Sequence, residues 1–347
     1  MATSELHVHK YPMATRSDIL AFLPTYAQKG SIMNLIDIAQ ELGTEAECFA
    51  FLEKMRWPDG VECPVCGCNR ISRIERRTES KNVRKNLYQC LGAGCRQQFS
   101  VTSGTIFHDS RIPLTKWFMA ASLVMDAKKG MSAKQLQRHL GLRSYQTAWH
   151  MVHRIREAMG TAEKPLLDGT VSMDETLIGG HVQGLGNAGH SYRIKEVVVG
   201  IKQRDGELRF FHAEDVKSGT LAKYIRENIS RTVDVVMTDE SASYPKAMIE
   251  AGIHGTKHRT VNHSKGVYVD GDVTTNGVES AFSLFKRGII GNFHRISAKH
   301  LHRYLTEFEY RFNRRNAQNR FQEMIKRIGR TAPLPYRELV AEPEIPF

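Results

Sequence analysis

The sequence lacks any apolar run long enough to cross a membrane, and its first residues, MATSELHVHKYP, lack the apolar centre of a signal peptide. We therefore expect a cytoplasmic protein. Acidic residues are also in short supply, because 37 Asp and Glu stand against 49 Lys and Arg, which leaves a net charge of +12. This balance favours a polyanionic partner such as nucleic acid.

Cysteine is scarce, and no cysteine follows Cys95. This distribution excludes a disulfide framework along the chain and indicates one local site. Two pairs, separated by a short insert of β type, have the spacing of a tetrahedral Zn²⁺ site, and their members are Cys63, Cys66, Cys90 and Cys95. Unligated buried cysteines are the alternative. Cys68 could replace a neighbouring ligand, and Cys48 is most simply a small buried hydrophobic residue.

The insert between the cysteine pairs carries seven basic residues and only two acidic ones. Contacts with phosphate groups explain this excess better than a solvated β-ribbon does. The residues that we assign to DNA here are Arg73, Arg76, Arg77, Arg84 and Lys85.

The stretch from Ser132 to Trp149 has the spacing of a helix-turn-helix, with Gly141 in the turn and the second helix beginning near Ser144. A plain helical hairpin is the alternative. The second helix is expected to bury Ala148, Val152 and Ile155 and to expose Tyr145, Gln146, Arg154 and Arg156. Of the exposed residues, we assign Tyr145, Gln146 and Arg154 to DNA binding.

The pattern changes near Leu166, where strands begin to dominate. Gly169–Thr176 is predicted to be a strand that ends at Asp174, and Val233–Asp239 a second strand that ends in an acid. Between them, Asp205-Gly206 joins two apolar strands as a hairpin. The succession of strand, hairpin, strand, helix, strand and helix predicts an α/β domain with a mixed sheet covered by helices.

A helix follows from Thr274 to Arg287, with an apolar stripe formed by Val278, Phe282, Phe285 and Ile289. Glu279 and Lys286 lie at the edge of the stripe, two turns or roughly 10 Å apart. Alone, this stretch is typical of an ordinary surface helix. Together with the two strand aspartates it predicts a carboxylate cluster that binds two Mg²⁺ or Mn²⁺ ions. The members of that cluster are Asp174, Asp239 and Glu279, while Lys286 and its neighbour Arg287 would contact DNA. Asn276, His263, Glu175 and Glu240 are better explained by capping, supporting hydrogen bonds or solvated charge.

Several motifs together resemble one family. They are Arg56-Trp-Pro-Asp-Gly60, the cysteine pairs, Phe99–Thr105, Met173–Thr176, Thr238–Glu240, Asn262–Lys265, Thr275–Ser280, Lys286–Gly288 and Tyr310–Arg315. From about Asn34 to Arg315 the chain resembles the DDE transposases of bacterial insertion sequences that carry an N-terminal zinc ribbon, the ISXO-like branch. Some members of the family use Asn at the third acidic position, so Asn276 is an alternative to Glu279 there.

The resemblance implies an RNase H-like (retroviral integrase-like) catalytic domain with Asp174, Asp239 and Glu279 as metal ligands and Lys286 beside them. It implies an enzyme that binds terminal inverted repeats, cuts the element ends and joins the 3′-hydroxyls to target DNA, as a dimer or larger assembly on the bacterial nucleoid. A domesticated DNA-binding protein that no longer cuts is the first alternative, although all three acids and the lysine are present. A stand-alone RNase H-like nuclease is another.

These observations divide the chain into six parts. We expect an irregular segment at 1–30, a helical segment at 31–60, the zinc ribbon at 61–108, the helix-turn-helix at 109–163, the catalytic domain at 164–315 and a C-terminal tail at 316–347. The last residues of that tail, rich in Pro and Glu, are expected to be loose.

Overall fold

The computed structural model describes residues 33–74, 86–160, 164–179, 195–261 and 274–341. The expected irregular segment at 1–30 therefore lies outside the described residues, as do Arg76, Arg77, Arg84, Lys85 and His263. None of the helices in the described ranges is long and apolar enough to span a bilayer.

The described helices are α1 (Leu35–Glu41), α2 (Glu45–Arg56), α3 (Leu114–Asp126), α4 (Ala133–His139), α5 (Tyr145–Met159), α6 (Ser218–Asn228), α7 (Ser243–Ala251), α8 (Asn276–Gly288), α9 (Ala298–Asn313), α10 (Arg320–Ile328) and α11 (Tyr336–Val340). The strands are β1 (Ile71–Ile74), β2 (Leu87–Cys90), β3 (Gln98–Phe99), β4 (Thr170–Ile178), β5 (Glu196–Gln203), β6 (Leu208–Ala213), β7 (Val235–Asp239) and β8 (His258–Val261). A 3₁₀ turn, Gly255–Lys257, precedes β8, and a π-helical turn, Ile289–Phe293, follows α8.

The break between α1 and α2 falls at Gly43-Thr44, as the sequence predicts. Thr44 accepts a hydrogen bond from the N–H of Glu47, and the Glu47 carboxylate accepts one from the N–H of Thr44. This reciprocal cap satisfies two backbone donors at the start of α2. Glycine is needed at position 43, because an added Cβ would lie 2.6 Å from the carbonyl oxygen of Ala39.

The N-terminal sheet has the order β1-β2-β3, and both pairings are antiparallel. Trp57 packs edge-on against Tyr88 and Phe99, which gives this small sheet a core of its own. The Arg56 guanidinium donates hydrogen bonds of 2.5 and 2.8 Å to the carbonyls of Val101 and Ser103. The sheet is thereby tied to the end of α2.

Helices α1 to α5 share one hydrophobic core, and α10 from the far end of the chain completes it. Phe321, Met324, Ile325 and Ile328 lie at i, i+3, i+4 and i+7 of α10 and are all buried. The part of the C-terminal tail that forms α10 therefore belongs to the core. The short helix α11 also buries Leu339. The helical period of these apolar residues was present in the sequence and was overlooked.

Helix α5 lies at the centre of this core, and its exposure differs from the prediction. Only its first turn is open to solvent, because α9 and α10 pack along the rest. Arg154 is not exposed; its guanidinium donates to the carbonyl of His108 at 3.1 Å and lies over the Trp117 ring. Arg156 is also buried, and its Nε lies 2.6 Å from a Glu307 oxygen. Helices from the far end of the chain cover α5, so the sequence of α5 alone could not show which of its residues are buried.

The C-terminal sheet has the order β6-β5-β4-β7-β8. Strands β4, β7 and β8 pair in parallel, whereas β5 is antiparallel to both of its neighbours, β4 and β6. The predicted α/β domain with a mixed sheet is thus confirmed. Helices α6 and α7 cover one face, whereas α8 and α9 cover the other. Gly200 in β5 allows α8 to approach closely, because an added Cβ would lie 2.6 Å from Val278 and 2.7 Å from Phe282.

Candidate active site and metal centre

The register of β4 against β7 places two of the candidate acids side by side. Thr170 pairs with Val235 and Ser172 with Met237 in a parallel ladder. Two residues farther on, this register brings Asp174 opposite Asp239, the last residue of β7. Side chains two apart in a strand point to the same face, so Ser172 and Asp174 share the face that α8 covers.

Asp174 is not at the end of its strand, contrary to the prediction. β4 continues to Ile178, because its antiparallel partner β5 pairs along the whole of it, from Val171 to Ile178. Only the parallel neighbour β7 stops, at Asp239. The carboxylate of Asp174 therefore lies inside a well-paired strand, at the point where the sheet narrows.

Helix α8 supplies the third acid from its first turn. The Cβ position of Gly277 would lie 3.6 Å from Cγ of Lys202 and 4.0 Å from Oγ of Ser172, so the helix begins directly over β4 and β5. Glu279 follows one half-turn later, and its Oε1 accepts a 2.6 Å hydrogen bond from the Thr275 hydroxyl. Asn276, the alternative third ligand, is exposed at the first position of the helix.

The electrostatic surroundings of Asp174 include the other two candidate acids. Burial, with smaller contributions from the carboxylates of Glu175, Asp239 and Glu279, raises the pKa of Asp174 to about 7. The N–H of Glu175 donates to Asp174 at 2.8 Å and opposes this pKa shift. Burial lowers the pKa of Lys286, whereas the nearby carboxylate of Asp174 raises it. Lys286 thus lies within the field of the acids.

Glu175 belongs to the opposite face of the sheet. Its carboxylate accepts a hydrogen bond from the hydroxyl of Tyr244, which is fully buried in α7. Burial raises the pKa of Glu175. This residue holds β4 to α7 behind the cluster, and Glu240 is exposed.

Three carboxylates that converge from rigid elements offer the hard oxygen donors that Mg²⁺ and Mn²⁺ prefer. Burial first, and then repulsion by the neighbouring carboxylates, raises the pKa of Asp174, and a divalent cation would offset this electrostatic cost. Within the described ranges these acids lie less close together than the four cysteines of the zinc ribbon, whose sulfur atoms are within 4.8 Å of one another. The donor set nevertheless fits a hard divalent cation.

The sulfur atoms of Cys63, Cys66, Cys90 and Cys95 all lie within 4.8 Å of one another. Cys63 Sγ is 3.8 Å from Cys95 Sγ, and Cys66 Sγ is 3.6 Å from Cys90 Sγ. Zn–S bonds of about 2.3 Å in a tetrahedron place sulfurs about 3.8 Å apart, so the four thiols fit Zn²⁺. Burial opposes ionisation of Cys63, but backbone N–H groups of Cys66 and Val65 bring its pKa down to about 7.

The other two cysteines do not join this group. Cys68 contributes backbone groups: its carbonyl oxygen accepts a hydrogen bond from the N–H of Cys63, and its own N–H donates to the sulfur of Cys66. Cys48 is buried in α2 and its thiol contacts the carbonyl of Leu42, as expected for a small hydrophobic residue.

Comparison with known proteins identifies two domains of the chain. Residues 166–313 match the ISXO2-like transposase domain, and residues 43–98 match the transposase zinc-ribbon domain. The chain therefore carries both a transposase domain and a transposase zinc ribbon. A protein of Halobacterium salinarum described as "Uncharacterized protein in transposable element ISH50" is 27% identical over 283 residues, which cover 77% of this chain and 90% of that relative. The resemblance found in the sequence is thereby confirmed.

The DNA contacts expected for this transposase lie in separate places. Arg73 is exposed in β1 and donates to the side chain of Asn86. Tyr145, 51% exposed, and Gln146 lie in the open first turn of α5. Arg287 is exposed at the end of α8, beside the half-buried Lys286. These assignments stay predictions, whereas the buried Arg154 is withdrawn.

A cavity of about 320 Å³ that the sequence gives no sign of lies on the C-terminal sheet, beside the start of α8. Ser172 forms part of its lining, and Lys202 and Arg315 supply positive charge from β5 and from the end of α9. The guanidinium of Arg315 lies 4.4 Å from the Phe312 ring centre. Because Lys202 reaches this place only through strand pairing with Ser172, no local pattern could have revealed it.

Proposed function

We propose that the chain is an insertion-sequence transposase that binds the terminal inverted repeats of its element, cleaves the ends and joins the freed 3′-hydroxyls to target DNA. The observation that supports this most is the register that sets Asp174 opposite Asp239, with Glu279 nearby on α8. We infer that the mixed sheet is an RNase H-like scaffold for these acids.

Asp174, Asp239 and Glu279 would hold two divalent ions, which when bound activate the attacking oxygen and stabilise the leaving oxygen. The protein's own groups fix the ligands: the N–H of Glu175 orients Asp174, and the hydroxyl of Thr275 orients Glu279. Lys286 contacts a phosphate of the bound strand as a point charge.

Each chemical step is a displacement at phosphorus. In the first step a water oxygen bonds to the phosphorus and the bond to the 3′-oxygen of the element breaks, so the end leaves as a 3′-hydroxyl. In the second step that hydroxyl oxygen bonds to a target phosphorus, and the target's own 3′-oxygen leaves with the proton. Neither step requires an oxidant, a reductant or a side-chain base.

The zinc ribbon, through Arg73 and the basic residues that follow it, and the first turn of α5, through Tyr145 and Gln146, are proposed to bind the element ends. Contacts of this kind to phosphate depend strongly on salt and supply most of the affinity. Two ends have to be cut and joined together, so we propose that the protein works as a dimer or a larger assembly.

The test uses oligonucleotides from the DNA that flanks the gene, incubated with the protein, Mg²⁺ or Mn²⁺, and a target plasmid. We expect joined products that disappear with Asp239→Asn. The matched control is Asp205→Asn, the same chemical change in the hairpin turn of the same sheet, which should keep the activity. Specific binding without cleavage in either metal would contradict the enzyme and leave a domesticated DNA-binding protein.

A further inference from the structure

A second cavity lies between the paired helices α4 and α5 and the π-helical turn that follows α8. Its volume is about 650 Å³, roughly twice that of the cavity at the start of α8. It is lined by Ser132, Lys134, Gln135, Arg138, His139, Tyr145, Gly291, Asn292, Phe293 and His294. We call it the helix–turn cleft. One wall is formed by α4 and the start of α5. The other wall is the turn that directly follows α8, the helix that carries Glu279 and Lys286.

The helix–turn cleft is basic and contains no Asp or Glu among its lining residues. Lys134 and Arg138 are exposed on one side of α4, one turn apart. Within the described ranges no carboxylate lies within ion-pair distance of either cation, although many other basic residues are paired. Tyr145 adds an exposed ring beside them. Two unneutralised cations with a ring and polar groups suit a phosphodiester strand.

The far wall is held rigidly in place. The Asn292 amide donates to the carbonyl of Lys129 at 3.0 Å. Phe293 lies against Gly130, where an added Cβ would come within 2.4 Å of the ring. The ring of Phe293 also meets Tyr304 edge-on, at 4.9 Å between centres. The turn after α8 is therefore locked to the turn between α3 and α4.

His294 ends this turn in a conformation that side chains rarely adopt, with φ of 58° and ψ of −44°. Its N–H donates to the carbonyl of Ile289 at 2.6 Å, which holds the strained backbone. Strain of this kind persists only where the surroundings impose it, and it is concentrated at functional sites. The exposed imidazole of His294 lines the cleft, and its Nδ1 lies 3.0 Å from the carbonyl oxygen of Ile290 in the same turn.

We propose that the helix–turn cleft binds a phosphate-bearing strand of the element's terminal duplex and leads it from α4 and α5 to the catalytic acids. This inference rests on the proposed function. It also explains how α5 can serve DNA binding although most of it is buried, since only its first turn, with Tyr145, reaches the cleft. The turn after α8 then sets the register between the bound end and the active site.

The first test measures binding of a flanking-DNA duplex, without divalent metal, across a range of salt concentrations. The double variant Lys134→Ala/Arg138→Ala removes both cations from exposed helical positions, where alanine is well tolerated. We expect the slope of log affinity against log salt to become shallower by about 1.8, because each lost phosphate contact contributes about 0.9. The control Lys223→Ala/Arg226→Ala removes two charges from α6 on the other face of the sheet and should leave the slope unchanged.

The second test adds charge from the opposite wall. His294→Asp places a carboxylate in the cleft, and we expect roughly tenfold weaker binding. Thermal unfolding of the variant checks that the strained turn still folds. The control is Gly219→Asp in α6, where an added Cβ meets nothing within 4 Å.

The outcomes separate the two proposals. If the parent protein cleaves its ends but both cleft variants bind like their controls, the cleft inference is wrong and the transposase proposal stands. If the parent protein neither binds nor cleaves flanking DNA, the proposed function fails and the cleft inference falls with it. Loss of binding in both cleft variants, with thermal unfolding unchanged, would support the inference.

Discussion

The four cysteines of the zinc ribbon and the three carboxylates of the sheet are both candidate metal ligands, but the fold assembles them differently. The thiols lie within 4.8 Å of one another and come from two short segments. The carboxylates come from the middle of β4, the end of β7 and the first turn of α8. A neutral thiol packs beside another without repulsion, whereas neighbouring carboxylates raise the pKa of Asp174.

The difference shows what holds each site together. The ribbon has a very small core around Trp57, Tyr88 and Phe99, so we expect a bound metal to be its main source of stability. The carboxylates rest on a sheet with two large cores, one on each face, and that sheet can bear their repulsion. We therefore expect metal to stabilise the fold of the ribbon, whereas in the sheet the fold stabilises the site.

Removing the metal from the ribbon should give the largest effect. Cys90→Ser is expected to lose zinc and the folded ribbon, because structural zinc binding contributes about 10–16 kcal/mol in small zinc domains. Mass spectrometry would measure the zinc content, and tryptophan fluorescence would show whether Trp57 still packs against Tyr88 and Phe99. Cys68→Ser is the control, since Cys68 lies in the ribbon but outside the group. Zinc retained by Cys90→Ser and lost by Cys68→Ser would show that the ligand set is misassigned.

A buried cluster of opposite charges, which contains no candidate metal ligand, lies between α5 and α9 and can be compared with the acids of the sheet. Glu307 lies 2.6 Å from Arg156 and 3.1 Å from Arg311, and all three are buried. Glu307→Gln would leave two buried guanidinium groups without their anion, so we expect a loss of about 3–5 kcal/mol in urea unfolding.

The control for that prediction is Glu157→Gln. Glu157 pairs with Arg303 at 3.0 Å, but its side chain is 38% exposed. Pairs of this kind contribute about 0–1 kcal/mol, so the change should be small. Equal losses in the two variants would show that burial does not make the Glu307 cluster more important for stability than an exposed pair.

Neutralising one acid of the sheet should increase the stability of the protein, whereas the Glu307 change decreases it. Without divalent metal, Asp174→Asn should raise the free energy of unfolding by about 1–2 kcal/mol, since it removes a buried charge that its neighbours repel. The amide oxygen still accepts from the N–H of Glu175. Melting temperatures in EDTA would measure this, with Asp205→Asn as the neutral comparison. A lower melting temperature for Asp174→Asn would mean that the acids do not repel one another.

Two buried histidines form a third titratable cluster, between α5 and α9. Their ring centres are 4.9 Å apart. Burial, with the charges of Arg156 and Arg303, lowers the pKa of His153, and burial lowers the pKa of His300 to about 4. The unfolded chain therefore binds more protons below pH 6.5, and stability falls as the pH falls from about 6.5 towards 4.

The expected loss is at most about 1.4 kcal/mol per histidine for each pH unit. Urea unfolding at several pH values would measure it. The double variant His153→Phe/His300→Phe should flatten this dependence. His108→Asn, at an exposed site, should keep it. A parent protein whose stability does not change between pH 6.5 and 5 would contradict the burial of these rings.

Local spacing predicted the cysteine group and the apolar stripe of α8, because each depends on residues close in sequence. The sequence could not place Asp174 inside its strand, since that depends on β5 pairing beyond the end of β7. It could not show Arg154 and Arg156 as buried, because α9 and α10 return from the far end of the chain. The helical period of Phe321 to Ile328 was readable and was missed.

The most direct test of this account is a calorimetric titration of Mn²⁺ into the zinc-loaded protein. Binding should weaken strongly in each of Asp174→Asn, Asp239→Asn and Glu279→Gln, because three distant elements supply one site. Asn276→Ala and Asp205→Asn should bind Mn²⁺ like the parent protein. Binding that survives all three carboxylate variants, or that depends on Asn276 in place of Glu279, would contradict the assignment of the site.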